Sequence, residues 1–275
     1  MAEPTDSRVA VYIDFDNIVI SQYDTVWGRG SFMKEKARNA AGKTVERLAA
    51  ATVNIGAILD YASSFGTVAI SRAYADWSAP VNSRYQKQLV DRAVDLVQMF
   101  NTSGTKNGAD IRLSIDVVDE MLRLPDISHV VIVAGDSDYI PLAQSVRRLG
   151  RVVVAIGVAG STSGAFKNAV DEFSFYGDIP GAEAPTPVVE AAPEAAPDPQ
   201  RDATELLVRA LRVGRDDVDD WQPASLVKTQ MKRLDASFAE KSLGFRSFTD
   251  FIKSRDAVAE LQEDGQNRRV RLRKP

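Results

Sequence analysis

The chain has 275 residues, 44% hydrophobic and 26% charged, with a formal net charge of −4 and no cysteine. That length sets a prior of one to two domains, with ample chain for a core. The missing cysteines exclude disulfide scaffolds, thiol nucleophiles and cysteine-ligated zinc, and a lone histidine, His129, excludes a multi-histidine metal site. No run approaches the ~18 apolar residues of a membrane span, so no membrane partner is expected. The start, MAEPTDSRVAVYIDF, lacks a basic segment followed by an apolar one, and a cytoplasmic location is expected.

Residues 8–15, RVAVYIDF, form a short apolar, β-branched run of the kind that makes a central strand. The pattern predicts a helix over 44–65, a strand over 66–75, a helix over 82–93, a short strand over 94–100 and a helix over 108–123. A strand over 129–134, HVVIVA, is followed by a helix over 138–149 and a strand over 151–158. Strands that are apolar throughout, alternating with helices, predict an α/β fold whose mostly parallel sheet is covered on both faces. Ligands of such sheets bind beyond the carboxyl ends of the strands.

Residues 179–202 hold six of the twelve prolines and almost no large apolar side chain. Such a segment cannot bury a core and is expected to be an extended linker, spanning up to roughly 75 Å at about 3.1 Å per residue. It separates a domain at 1–178 from one at 203–275. From residue 201 onward there are 16 Lys and Arg against 13 Asp and Glu, or +3; the first 200 residues hold 18 against 25, or −7. In the second part, helices are predicted over 203–212, 222–234 and 247–254. The end alternates around Asp264-Gly265 as a β-hairpin does. Three helices and a hairpin describe a small α+β winged-helix module.

Asp14, Asp16 and Asn17 follow the first strand; Asp136, Ser137 and Asp138 follow HVVIVA; Asp110 opens the helix at 108–123. Parallel strands place all three groups at one edge of the sheet. Two like charges ~4 Å apart repel by about 4 kcal/mol at an effective dielectric of 20, so such a nest calls for a cation. Oxygen donors without His or Cys favour Mg²⁺ or Mn²⁺, ions suited to phosphoryl transfer. Taken singly, Asp136, Ser137 and Asp110 read equally well as helix caps. Asp116 lies six residues after Asp110 and turns away from it on a straight helix; it either orients the site or is an ordinary helix residue.

VYIDFDNI, RAYADW at 72–77, KNGADIRLSID at 106–116 and then VVIVAGDSDYIPL resemble, in that order, the NYN domain of the PIN-like nucleases. The resemblance covers about residues 8–177. It implies a Rossmann-like PIN fold and a metal-dependent endoribonuclease with Mg²⁺ or Mn²⁺ as cofactor. By match of motif, Asp14, Asp110, Asp136 and Asp138 take the catalytic and metal-binding places and Asn17 the family's following Asn. Asp16, Ser137 and Asp116 are supporting candidates. PIN-like relatives often dimerise, so a second copy joins RNA among the expected partners.

The segment 21–43 carries Arg29, Lys34, Lys36, Arg38 and Lys43 among glycines. It reads either as a mobile lid bringing positive charge to an RNA backbone or as a solvated loop. Lys106 meets a phosphate or neutralises the acidic nest. Tyr74 and Trp77 are expected to pack rather than to stack a base, and His129 is expected to be structural.

Leu234, Phe238, Gly244-Phe245, Phe248 and Phe251-Ile252 fall in a pattern that resembles the LOTUS (OST-HTH) domain over about 203–273. That family implies binding of RNA or of a protein helix. Lys228 and Lys232 are candidate RNA contacts. Arg269, Arg271 and Arg273 alternate with Val270 and Leu272, and a strand puts all three on one face. The row either meets phosphates or blocks edge-to-edge aggregation. The acidic run 216–220 is expected to face away from nucleic acid.

The expectation is therefore a metal-dependent endoribonuclease whose winged-helix module holds RNA. Two rivals remain. One is a catalytically inactive RNA-binding or scaffolding regulator. The other is a haloacid-dehalogenase-like phosphatase, suggested by Asp14-Phe15-Asp16 and Gly135-Asp136 but lacking that family's Thr or Val after the second Asp.

Overall fold

The computed structural model describes residues 7–100, 108–182, 198–213, 220–264 and 267–273. The chain divides into two compact units, Met1–Pro187 and Val188–Pro275, with the division inside the proline-rich segment.

The first unit starts with strand β1, Arg8–Asp14. Helices α1 (Phe15–Trp27), α2 (Ser31–Lys34), α3 (Thr44–Ala50) and α4 (Ile55–Ser63) follow, then β2 (Thr67–Ala75). Two short helices, α5 (Pro80–Ser83) and α6 (Gln86–Val90), lead to β3 (Asp95–Gln98). The longest helix, α7 (Gly108–Arg123), precedes β4 (Ile127–Val133), α8 (Ile140–Arg148), β5 (Val152–Gly157), α9 (Gly164–Ala169) and β6 (Glu172–Phe175).

The six strands make one sheet in the order β3-β2-β1-β4-β5-β6, and every pairing is parallel. All residues of β1 after Arg8 are buried. Val9, Val11 and Ile13 pack into one core with Ile18 and Val19 of α1 and Ile55 and Ile58 of α4. Ala10 and Tyr12 pack into the other, with Leu113, Val117 and Met121 of α7 and Leu142 and Val146 of α8. A strand buried on both faces must be apolar at every position, which is why RVAVYID does not alternate. Beyond β1 the chain builds outward through β2 and β3; it then returns to β4 on the other side of β1 and builds outward again. The carboxyl ends of β1 and β4 therefore flank the topological switch point.

Several boundaries differ from expectation. The helix predicted over 44–65 is broken at Thr52–Asn54. Asn54 caps α4 by accepting the Ala57 amide, while Tyr176 Oη accepts the Asn54 amide and Gln88 that of Ile55. The helix predicted over 82–93 is likewise two short pieces, and that over 138–149 opens with a 3-10 turn at Ser137–Tyr139. The segment 21–43 is packed structure rather than a mobile lid. α1 continues to Trp27, Asp24 accepts the amides of Gly30 and Phe32, and Phe32 and Ala37 are buried. α9 and β6 were not expected. Ile179 and Ala182, placed in the linker by sequence, pack into the first core.

The second unit contains α10 (Pro199–Val213), β7 (Gln222–Pro223), α11 (Ala224–Leu234), α12 (Phe248–Lys253), β8 (Ala259–Asp264) and β9 (Asn267–Leu272). The helix expected from residue 222 starts at Ala224, because Gln222 and Pro223 pair with Val270 and Arg269 in an antiparallel β7-β9-β8 sheet. Leu207 and Leu211 of α10, Val227 and Met231 of α11, Phe251 and Val270 form its core. Phe238, Phe245 and Phe248 each lie within 6.3 Å, centroid to centroid, of another ring of this cluster, and Phe251 touches all three. Among the described residues no helix is long and apolar enough to cross a membrane.

Candidate active site

Asp14 is the last residue of β1 and the N-cap of α1, accepting the Asn17 amide at 3.2 Å. Only 4% of it is exposed. Asp110 stands in the first turn of α7, where the helix dipole favours a carboxylate. The two meet at Tyr139. Its Oη lies 2.9 Å from Asp14 Oδ2 and 2.9 Å from Asp110 Oδ1. A phenol has one proton, so it donates to one carboxylate at a time.

The local chain geometry explains why Tyr139 arrives there. Asp136 caps the 3-10 turn by accepting the Asp138 amide at 3.2 Å. The tight turn leaves Asp136, Ser137 and Asp138 exposed and sends Tyr139 inward, fully buried. Asn17 Oδ1 accepts the Gly135 amide at 3.2 Å and ties α1 to this turn. Space is tight at Gly135: a Cβ there would come within 3.0 Å of Thr162 Oγ1.

The electrostatics follow from burial and like charge. Burial pushes the Asp14 carboxyl up to about 7, and the charge of Asp110 adds to this. Hydrogen bonds from Tyr139 and the Asn17 amide pull the other way. Burial raises Asp110 as well, and the charges of Asp136 and Asp138 add to the rise, so Asp110 stands within electrostatic reach of the turn. Burial and the two carboxylates hold Tyr139 far above the phenol range, so it stays protonated. Among the described residues, no cationic side chain is paired with Asp14, Asp110 or Asp136.

A second polar cluster borders the first. Asp16 accepts from Asn82 Nδ2 at 2.7 Å and lies 3.8 Å from Arg38, which also pairs with Asp76 at 2.8 Å. Burial pushes Asp76 up, but hydrogen bonds from Ser78, Arg38 and Gln98 outweigh it and hold the carboxyl at about 2. Sequence reasoning placed Asp16 beside Asp14 and Arg38 on RNA; in the structure the two hold each other.

The remaining candidates fall as follows. Ser137 donates only to its neighbour Asp136, at 3.3 Å. Asp116 is turned away from Asp110 and accepts from Tyr74 Oη and Arg112, each at 3.0 Å. Tyr74 and Trp77 are buried, the latter against Phe15. His129 hydrogen-bonds Ser128 and stacks on Phe65, and burial lowers its pKa. Lys34 and Lys36 are exposed. Lys106 lies outside the described residues.

In the second unit, Lys228 pairs with Glu240 at 2.6 Å, and that hydrogen bond holds Glu240 below the usual range. Lys232 is exposed. Arg271 pairs with Glu260 at 2.6 Å and lies over the Trp221 ring, while Arg273 donates to the Asp256 carbonyl and lies 3.8 Å from Glu260. Arg269 is exposed on the same strand face, opposite Gln262.

Sequence reasoning missed Tyr139 and Asp76. Both stood inside quoted motifs, GDSDY and RAYADW, but were not given roles at the acidic edge.

The NYN domain profile matches residues 8–177. The chain belongs to the NYN family. An OST-HTH/LOTUS domain follows, matched over 196–271. The NYN domain points to a PIN-like nuclease and the LOTUS domain to RNA binding. No curated protein matches the chain. Among solved structures, a protein of unknown function from Vibrio parahaemolyticus is 18% identical, with a TM-score of 0.48, over 65% of this chain and 98% of its own. MurG from Acinetobacter baumannii is 12% identical, with a TM-score of 0.31, over 72% of this chain and 48% of its own. Likeness at this level adds nothing to the assignment.

Proposed function

We propose that this NYN protein is a divalent-cation-dependent endoribonuclease whose LOTUS domain holds the RNA. One observation carries the reading. Asp14 and Asp110, 96 positions apart in sequence, converge on one phenol at the switch point, with Asp136 and Asp138 on the adjoining turn. A buried Asp14 and a half-buried Asp110, both with raised pKa values and, among the described residues, no cationic partner, are costly to the fold, so function is the better account of them.

The donor set fits Mg²⁺ or Mn²⁺: four carboxylates and no nitrogen or sulfur ligand. Among the described residues no three such groups are gathered to hold an ion as they stand. Asp136 and Asp138 are exposed on the adjoining turn, whereas Asp14 and Asp110 are held by Tyr139. Asp14, Asp110, Asp136 and Asp138 are the residues that would hold the cation. When bound, it supplies Lewis-acid stabilisation of phosphate charge and makes water a better nucleophile. Tyr139 keeps Asp14 and Asp110 aimed at one point. Asn17 fixes the distance between α1 and the GDSD turn.

The test is incubation of labelled single-stranded and structured RNA with Mn²⁺, Mg²⁺ or EDTA, beside the Asp14→Asn/Asp136→Asn double variant. Internal cuts that need the cation and vanish in the variant are expected. RNA binding without cutting under all conditions would replace this reading with that of a binding regulator.

A further inference from the structure

Helix α7 has two apolar faces. Leu113, Val117 and Met121 are buried in the sheet's core. On the other side Ile111, Ile115 and Leu122 are 58%, 60% and 66% exposed, with half-buried Val118 between them. Scattered exposed apolar residues need no explanation, but a row along one helix does. The spacing of 4, 3 and 4 residues is the d-a-d-a pattern of two heptads.

We propose that this face is the seam of a homodimer in which α7 packs antiparallel against α7 of a second copy. With the two-fold axis near Asp116–Val117, Ile111 faces the partner's Leu122 and Ile115 faces the partner's Val118. Charge selects both occupant and direction. Arg112 and Asp119 are seven residues apart and flank the apolar row on one side. Antiparallel pairing brings Arg112 beside the partner's Asp119 and repeats the contact through the two-fold axis. Parallel pairing turns this flank toward the partner's Ser114 and Met121, where neither charge meets an opposite one. In the single chain the pairs Arg112–Asp116 and Arg123–Asp119 keep these side chains on the same helix flank.

RNA is a poor occupant. α7 carries Asp110, Asp116, Asp119 and Glu120 against two arginines, and the row runs about 16 Å from Ile111 toward the end of the helix remote from Asp110. The proposal stands apart from the nuclease reading, since it uses none of the acidic-edge chemistry.

Sedimentation equilibrium of the full chain, up to ~100 µM, reads the seam directly. A concentration-dependent rise toward twice the 30.0 kDa monomer mass is expected. Ile115→Glu should weaken association roughly 100-fold, with an unchanged circular dichroism spectrum. Arg112→Glu and Asp119→Arg should each weaken it roughly tenfold. An equimolar mixture of these two should recover it, because each chain then offers the charge the other lacks. The chain has no cysteine, so cross-linking is clean. Ile111→Cys should cross-link to Leu122→Cys and not to itself. Four results would each overturn the proposal. They are a wild-type monomer throughout, a dimer indifferent to Ile115→Glu, a mixture that does not recover, and self-cross-linking of Ile111→Cys.

Discussion

Asp14→Asn should stabilise the cation-free protein at pH 8 while removing its activity. The buried Asp14 carboxyl is lifted from the ordinary 3.8 to about 7 by burial, with Asp110 adding to the rise. The folded chain thus holds this proton more tightly than the unfolded one. The stability linked to the group is fully present below about pH 4 and is lost as the pH rises through about 7. Roughly three pKa units at about 1.36 kcal/mol each set a ceiling of ~4 kcal/mol at pH 8. Local relaxation lowers the realised value, and about half is a working figure. Asparagine keeps the shape and carries no charge. Its Oδ1 accepts the Asn17 amide, its Nδ2 donates to the Tyr139 oxygen, and the phenol proton is left for Asp110. At ~2–4 °C per kcal/mol for a unit of this size, the variant should melt about 4–8 °C above wild type at pH 8 in EDTA. At pH 4, close to the ordinary value of 3.8, little of this difference has developed, and the two should agree within ~2 °C. Thermal melts followed by circular dichroism at both pH values make the comparison. A difference independent of pH, or a variant less stable at pH 8, would refute the reasoning.

Tyr139→Phe fills the same space but removes a hydrogen bond that holds the Asp14 pKa down. The pH midpoint of Mn²⁺ uptake should therefore move up and cleavage at pH 7 should fall about tenfold, as expected for one bond to a charged group; an unchanged midpoint in a Mn²⁺ titration would show that the phenol tethers nothing. Glu260→Gln releases Arg271 and Arg273 from their shared carboxylate. RNA binding should tighten, and the slope of log K against log salt should steepen by about 0.7 for each arginine that reaches a phosphate, as read by fluorescence anisotropy. Phe251→Ala removes the ring that touches Phe238, Phe245 and Phe248; about 3–5 kcal/mol of second-unit stability should be lost in urea unfolding followed through Trp221 fluorescence.

What was legible in the sequence was what depends on neighbours in the chain. RVAVYID and HVVIVA reveal central strands because both faces are buried, and nothing local contradicts that. β6, EFSF, is a four-residue, half-buried edge strand with no such run, and it was invisible. The break between α3 and α4 depends on Tyr176 and Gln88, 122 and 33 residues from the amides they accept. That Asp14, Asp136 and Asp138 would meet Asp110 near one edge was legible because residues after parallel strands and at the starts of the helices feeding them collect there. Tyr139 was not, since an aromatic in GDSDY reads as core until its hydroxyl is placed. Arg38 was assigned to RNA by charge alone; its partner Asp76 lies 38 residues on. The Arg271–Glu260 pair was recoverable. A hairpin turning after Asp264 sets Arg271 opposite Glu260 by register alone.

The division of charge bears on why two units are present. An edge built from Asp14, Asp110, Asp136 and Asp138 repels a phosphate backbone until a cation offsets it, and Arg38 beside it is already held by Asp16 and Asp76. Residues 1–200 carry −7 in all, and those from 201 onward carry +3. On the proposed reading, an edge that must be acidic to hold its cation cannot also be the surface that gathers RNA. Gathering falls to a second unit that exposes Lys232 and Arg269, and tethering converts its affinity into a raised local concentration of substrate. The two demands on charge are opposite, and separating them along the chain lets each be met without weakening the other.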